Sequence, residues 1–231
     1  MFNKDEFRKY AVKHLGMGGA QIDKYMEIGT PNIQGFTPQV IEERQMNIVG
    51  MDVFSRLMMD RIIFLGVPVN DYVANVVQAQ LLFLESTDSK RDVQMFINSP
   101  GGSVISGLGI YDTMQYVTPE IATICTGLAA SMGAVLLAAG TKGKRTCLPH
   151  ARVMIHQPTG GMQGQFSDME IYYRLTKEMK QNIYDILCRH TGQDFKRIEA
   201  DCDRDNWMTA KDAREYGLVD EVLERDVPKD K

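Results

Sequence analysis

Several features that would place a chain quickly are missing from this one. No run of like charge occurs: 26 Lys and Arg face 30 Asp and Glu, a net charge of -4. Without a basic stripe to meet a phosphate backbone, nucleic acid is excluded as an expected partner. The four cysteines, Cys125, Cys147, Cys188 and Cys202, contain no Cys-x-x-Cys pair. A disulfide framework is not expected, and reduced thiols in a cytoplasmic protein fit the spacing. Cys147-x-x-His150 lacks a matching second pair and no His-Glu-x-x-His occurs, which removes the usual zinc signatures. The first 36 residues mix Lys4, Arg8, Lys9 and Lys13 with Asp5, Glu6, Asp23 and Glu27 and hold no continuous apolar stretch, so a secretory signal is not expected. Repeats and low-complexity segments are absent as well.

Glycine motifs for nucleotides are incomplete. Gly107-Leu108-Gly109 lacks the third glycine of a dinucleotide fingerprint. Around Gly140 to Thr146, Ala138 stands where a phosphate loop needs its first glycine, and Arg145 replaces the hydroxyl residue after Gly-Lys. One uncharged stretch, Ile121 to Thr141, is long enough to cross a bilayer. Thr123, Thr126 and Ser131 interrupt it, as do Gly127, Gly133 and Gly140. A buried strand, a turn and a short buried helix describe it better.

What is present is a regular alternation. With 231 residues and 44% hydrophobic content the chain can bury one substantial domain and an appendage. Residues 1–36 read as a leader resembling a propeptide, 37–51 as an N-terminal segment, 52–225 as the main domain and 226–231 as a polar tail. Within the domain the pattern predicts a helix over 52–59, strand 62–65, helix 72–86, strand 93–97, helix 103–117, strand 121–125 and a short helix 131–139. Strands near 144–147 and 152–155 follow. Ser167-Asp168-Met169-Glu170 has capping-box spacing and is expected to open a long helix, about 167–190, stopped by Thr191-Gly192. Short apolar strands separated by helices imply βαβ units and a mainly parallel α/β sheet.

Two segments share one design, an apolar strand followed by small residues and a helix: Phe96-Ile97-Asn98-Ser99-Pro100-Gly101-Gly102 and Ile124-Cys125-Thr126-Gly127-Leu128-Ala129-Ala130-Ser131. Carboxyl ends of neighbouring parallel strands form a ligand crevice, so both should line it. A serine at a helix start has unpaired N–H groups beside it, and Gly102 leaves backbone accessible opposite; together they suit an oxyanion hole. Ser131 taken alone reads more readily as a helix cap than as a nucleophile. His156 ends an apolar strand before Gln157-Pro158, whereas His14, His150 and His190 lie in charged or turn settings. Ser131, His156 and an acid would form a triad in that order, but Asp201, Asp203 and Asp205 are not separable on local sequence.

The chain resembles the ClpP serine peptidase family, the proteolytic subunits of Clp proteases, from about Val40 to Leu223. The matching segments are Phe96 to Gly102, Ile110-Tyr111-Asp112-Thr113-Met114-Gln115, Ala129-Ala130-Ser131-Met132-Gly133-Ala134 and Met154-Ile155-His156-Gln157-Pro158. The resemblance implies Ser131 as nucleophile, His156 as base and Asp205 as orienter, with the N–H groups of Gly102 and Met132 as oxyanion donors. It further implies a crotonase-like core with a protruding handle helix and two stacked heptameric rings. Asp203 and Arg204 would link the rings beside the triad, and Gly160 to Gln165 would pair across the equator. An AAA+ unfoldase of the ClpX, ClpA or ClpC type would dock at Phe96, Tyr116 and Leu223 and consume the ATP; the subunit itself would need no cofactor. Gln94 and Thr146 depart from the aromatics many relatives have near that pocket. The competing readings are a crotonase-type acyl-CoA enzyme, which has no need of the three triad residues together, and a silent ring subunit, which would be expected to lack one of them.

Overall fold

The computed structural model describes residues 39–44, 47–161 and 163–224; the leader and the polar tail lie outside these. The described residues fall in two compact units, one ending at Asp60 and one beginning at Arg61. In the smaller unit β1 (Gln39–Arg44) pairs antiparallel with β2 (Asn47–Asp52), and Asp52 caps α1 (Val53–Met59) by accepting from the Phe54 and Ser55 N–H groups at 3.0 and 3.1 Å.

The larger unit is built on β3 (Ile62–Leu65), β4 (Val93–Ser99) and β5 (Ile121–Ala130), parallel neighbours joined by α2 (Asp71–Thr87) and α3 (Val104–Tyr116). These are the expected βαβ units. β4 alternates in burial, with Val93, Met95, Ile97 and Ser99 buried and Gln94 and Asn98 exposed. Asn70 caps α2 through the Val73 N–H, and the helix buries Ala74, Val77, Leu81 and Leu84 at three-to-four spacing. α4 (Met132–Ala138) is buried at every residue, packs on β4 and β5, and leaves no polar face. The candidate membrane stretch is thus β5 followed by a core helix, and no described helix is long and apolar enough to cross a membrane.

The sheet order is β3-β4-β5-β6-β9, with β6 (Arg145–Cys147) and β9 (Glu221–Val222) extending it beyond β5. β7 (Arg152–Ile155) also pairs with β5, and β8 (Asn206–Thr209) pairs with β7. In the second of the two segments the strand does not stop at Cys125 as expected. β5 continues to Ala130, pairing with β6 over Thr123–Cys125 and with β7 over Leu128–Ala130. Asn98 supports the change of partner by accepting from the Leu128 N–H at 3.0 Å.

The long helix is α5 (Phe166–Thr191), closed by Gly192 in the left-handed conformation that glycine tolerates best. Its expected capping box does not form: the helix begins at Phe166, with Gln165 at the cap position and no side-chain cap bond. The capping box of this unit lies instead at Thr209 and Asp212, opening α7 (Ala210–Tyr216). Between them α6 (Phe195–Asp201) is capped by Asp194. Along α5 the apolar stripe splits in two: Tyr172 and Leu175 are exposed, whereas Ile183 and Ile186 are buried.

Candidate active site

Strand register assembles the site. β7 and β8 run antiparallel with Ile155 opposite Asn206, so the next residue of β7, His156, meets the preceding residue of β8, Asp205. Residues opposite one another project from the same face. β5 and β7 run parallel with Ala130 beside Met154, and the Ser131 N–H donates to the Met154 carbonyl at 2.8 Å. Ser131 therefore leaves its strand next to His156.

The side chains complete what the register begins. His156 Nδ1 lies 3.0 Å from Asp205 Oδ1, and His156 Nε2 lies 3.0 Å from Ser131 Oγ. An ionised carboxylate can only accept, so Nδ1 carries the proton, and in the neutral ring Nε2 presents its lone pair to the serine hydroxyl. That arrangement can remove the hydroxyl proton during nucleophilic attack. The imidazole is sheltered, at 17% exposure, and the Asp205 side chain is 59% exposed. Apolar residues Val104, Val135, Ile155, Pro158, Ile183 and Leu187 wall the cleft around Ser131 and His156.

Ser131 occupies the N-cap position of α4, yet it makes no capping bond; its hydroxyl serves His156 instead. Its backbone sits at φ 54°, ψ -124°, a region costly for a residue with a Cβ. Such a turn holds the hydroxyl out from the strand end, as in nucleophile elbows. Gly101 packs directly against it. At φ +85°, a Cβ added to Gly101 would stand 2.7 Å from Ser131 Cβ and 2.5 Å from the Ala130 carbonyl oxygen. Only glycine lets the two backbones approach this closely.

Gly102 forms a parallel bridge with Val69, in which Val69 N–H donates to the Gly101 carbonyl and Ser103 N–H to the Val69 carbonyl. That pattern turns the Gly102 N–H to the other side, and no acceptor for it is found among the described residues. Met132 begins α4, where the N–H has no partner within the helix. Both backbone donors are thus available beside the serine. Ser99, buried, steadies the loop: its hydroxyl donates to the Val67 carbonyl at 2.7 Å and accepts from the Gly101 N–H at 3.2 Å.

The three neighbouring acids separate in space. Asp201 accepts from the Tyr216 hydroxyl at 2.8 Å and pairs with Arg197 at 3.5 Å. Asp203 lies a loose 3.8 Å from Arg204, and their side chains are 70% and 93% exposed. Asp205 alone reaches the imidazole. Among the other histidines, His190 bonds Tyr111 Oη through Nε2 at 3.1 Å, and burial together with Arg145 and Arg189 pushes its pKa down to about 4. The expected docking residues lie apart from the triad: Phe96 half-buried on β4, Tyr116 exposed at the end of α3, Leu223 exposed just past β9. Gln94 sits on the exposed row of β4 and Thr146, half-buried, on β6. Sequence reading missed Gln157, whose amide bonds the Asp203 carbonyl at 2.9 Å; its only signal was a polar residue directly after the histidine at a strand end.

The family model for Clp protease matches residues 44–226. The chain belongs to the Clp protease family. This Clp protease is a peptidase of the serine class. It is 58% identical over 219 residues to the ATP-dependent Clp protease proteolytic subunit of Bacteroides thetaiotaomicron, covering 95% of this chain and 98% of the relative. To the protein of the same name from Porphyromonas gingivalis it is 57% identical over 221 residues, covering 96% and 98%.

Proposed function

We propose that this chain is the proteolytic subunit of an ATP-dependent Clp protease, with Ser131 as nucleophile, His156 as general base and Asp205 as the group that orients it. The observation that carries this reading is the unbroken relay of two 3.0 Å contacts ending on a serine held at positive φ. Ser131 Oγ attacks the scissile carbonyl carbon as its proton passes to His156 Nε2. The carbonyl oxygen becomes an oxyanion, held by the N–H groups of Gly102 and Met132. Collapse breaks the C–N bond, His156 gives its proton to the departing amine, and water then hydrolyses the acyl-enzyme by the same steps in reverse.

The assembly follows the same reading. Two heptameric rings would enclose the sites, with the first half of α5 as the handle between them. The exposed apolar residues Phe166, Ile171, Tyr173 and Leu175 support this, because they need cover. Asp203 and Arg204, exposed and weakly paired, are free to bond across the equator. An AAA+ unfoldase docking at Phe96, Tyr116 and Leu223 would supply the ATP chemistry, and the subunit would work without a cofactor in the cytoplasm. A crotonase-type acyl-CoA enzyme would share the backbone donors but has no use for the relay, and a silent ring subunit would not keep all three members in register.

The test compares two substrates. The purified full chain should hydrolyse a short fluorogenic peptide unaided and degrade a stably folded protein only with an AAA+ unfoldase and ATP. Ser131→Ala should abolish both. Peptide hydrolysis undiminished in Ser131→Ala would overturn the assignment.

A further inference from the structure

Asp205 is an exposed carboxylate on the residue that precedes β8, and His156 is its hydrogen-bond partner. Something must hold that segment at the right distance from the imidazole. The structure provides a brace at the adjacent residue. The Gln157 N–H donates to the Cys202 carbonyl at 2.6 Å, and its side-chain Nε2 donates to the Asp203 carbonyl at 2.9 Å and approaches Asp203 Oδ1 at 3.4 Å. On the opposite side of the amide, Gln157 Oε1 accepts from Lys180 Nζ at 3.4 Å. A carbonyl can only accept and an ammonium can only donate, so these two partners fix the amide's orientation. Lys180 is itself held on α5, its Nζ 5.3 Å from the centre of the Tyr184 ring.

We propose that Gln157 is a positioning residue for the peptidase reaction, tying the segment 202–203 to the strand end that carries His156 and so setting the approach of Asp205, with Lys180 orienting its amide. The inference rests on Ser131, His156 and Asp205 acting as assigned above. Gln157 touches no reacting atom in this scheme. Its effect reaches the chemistry through Asp205, and a misplacement on the ångström scale is enough to cost about 100-fold in rate.

Isosteric variants separate positioning from packing. Gln157→Glu keeps the shape and can still accept from Lys180, but it turns an oxygen toward the Asp203 carbonyl and carboxylate. Gln157→Met keeps the volume and makes neither bond. Both variants in the assembled full chain are expected to lower kcat on a short peptide by roughly 10- to 100-fold, with KM within about twofold of wild type. Lys180→Met is expected to lower kcat less, and combined with Gln157→Met to add little, because both act through one bond chain. Wild-type kcat in either isosteric variant overturns the inference, as does a loss confined to KM. Should one variant fail to assemble, the other and Lys180→Met decide. Ser131→Ala serves as the control: if it retains activity the triad assignment has failed, whereas an inactive Ser131→Ala beside fully active Gln157 variants rejects the brace alone.

Discussion

Two histidine-containing polar assemblies lie in the larger unit, and they are built on opposite rules. In the first, the two charged groups, Arg145 and Asp220, are each held several times over. The Arg145 guanidinium donates to both Asp220 oxygens at 3.0 and 2.6 Å and to the carbonyls of Ala138 and His190 at 3.3 and 2.8 Å. Asp220 also accepts from the Gly143 and Arg145 N–H groups at 2.7 and 3.0 Å. Burial works against its charge, but the bonds from Arg145 and those N–H groups outweigh it and hold its carboxyl below the usual range. In the second assembly Asp205 accepts one side-chain bond among the described residues, and Ser131 sits in a strained turn. Redundancy suits a group that must never move. The proposed proton relay needs bonds that can be exchanged one at a time, with its geometry kept by the backbone around it.

This contrast predicts where each assembly breaks. Removing the proposed nucleophile has the largest effect: Ser131→Ala should lower turnover by roughly 10⁶-fold. Relief of strain at a positive-φ position is not expected from alanine, so its melting temperature should stay near wild type. Asp205→Asn should lower kcat by about 10⁴-fold, again with little change in thermal melting. In the other assembly the signs reverse. Asp220→Ala leaves the Arg145 charge buried and uncompensated, which should cost about 3 kcal/mol in urea unfolding while folded molecules keep their activity.

The last effect is a pH slope. The folded pKa of His190 is depressed from 6.5 to about 4, so the unfolded chain binds a proton that the folded chain refuses between those values. The stability from its neutral form is fully present above pH 6.5 and is lost as pH falls toward 4. Urea midpoints measured across that window should decline with acid, and His190→Gln should flatten the decline. An unchanged slope in the variant would assign it elsewhere. Asp220, also depressed, acts lower: its contribution is present above about 3.8 and lost as pH falls through its folded value.

Much of the fold could be read directly, because β4, α2 and α3 are long enough for their burial periods to show and β3 is an unbroken apolar run. Composition misled at β5. Gly127 reads as a turn, and only the change of pairing partner from β6 to β7 carries the strand on to Ala130. The spacing at Ser167 imitates a capping box, but Phe166 already belongs to the helix, so the cap position falls earlier than that spacing requires. α6, β8 and α7 are short and rich in polar residues, which leaves little periodicity to detect. The site was half legible. Ser131 and His156 stood out through their settings, whereas the choice of Asp205 over Asp201 and Asp203 depends on the β7–β8 register, a long-range pairing that no local window contains. The same register explains why Gln157 was missed, since its partner lies 46 residues away. On α5 a single apolar stripe serves two purposes, and periodicity cannot tell which half the chain covers by itself.

The most direct measurement is covalent. A serine-directed fluorophosphonate should add one probe mass per subunit in intact-mass analysis, with the adduct on Ser131 by peptide mapping, and Ser131→Ala should show none. Wild-type protein that stays unmodified, or an adduct that persists in Ser131→Ala, would contradict the account.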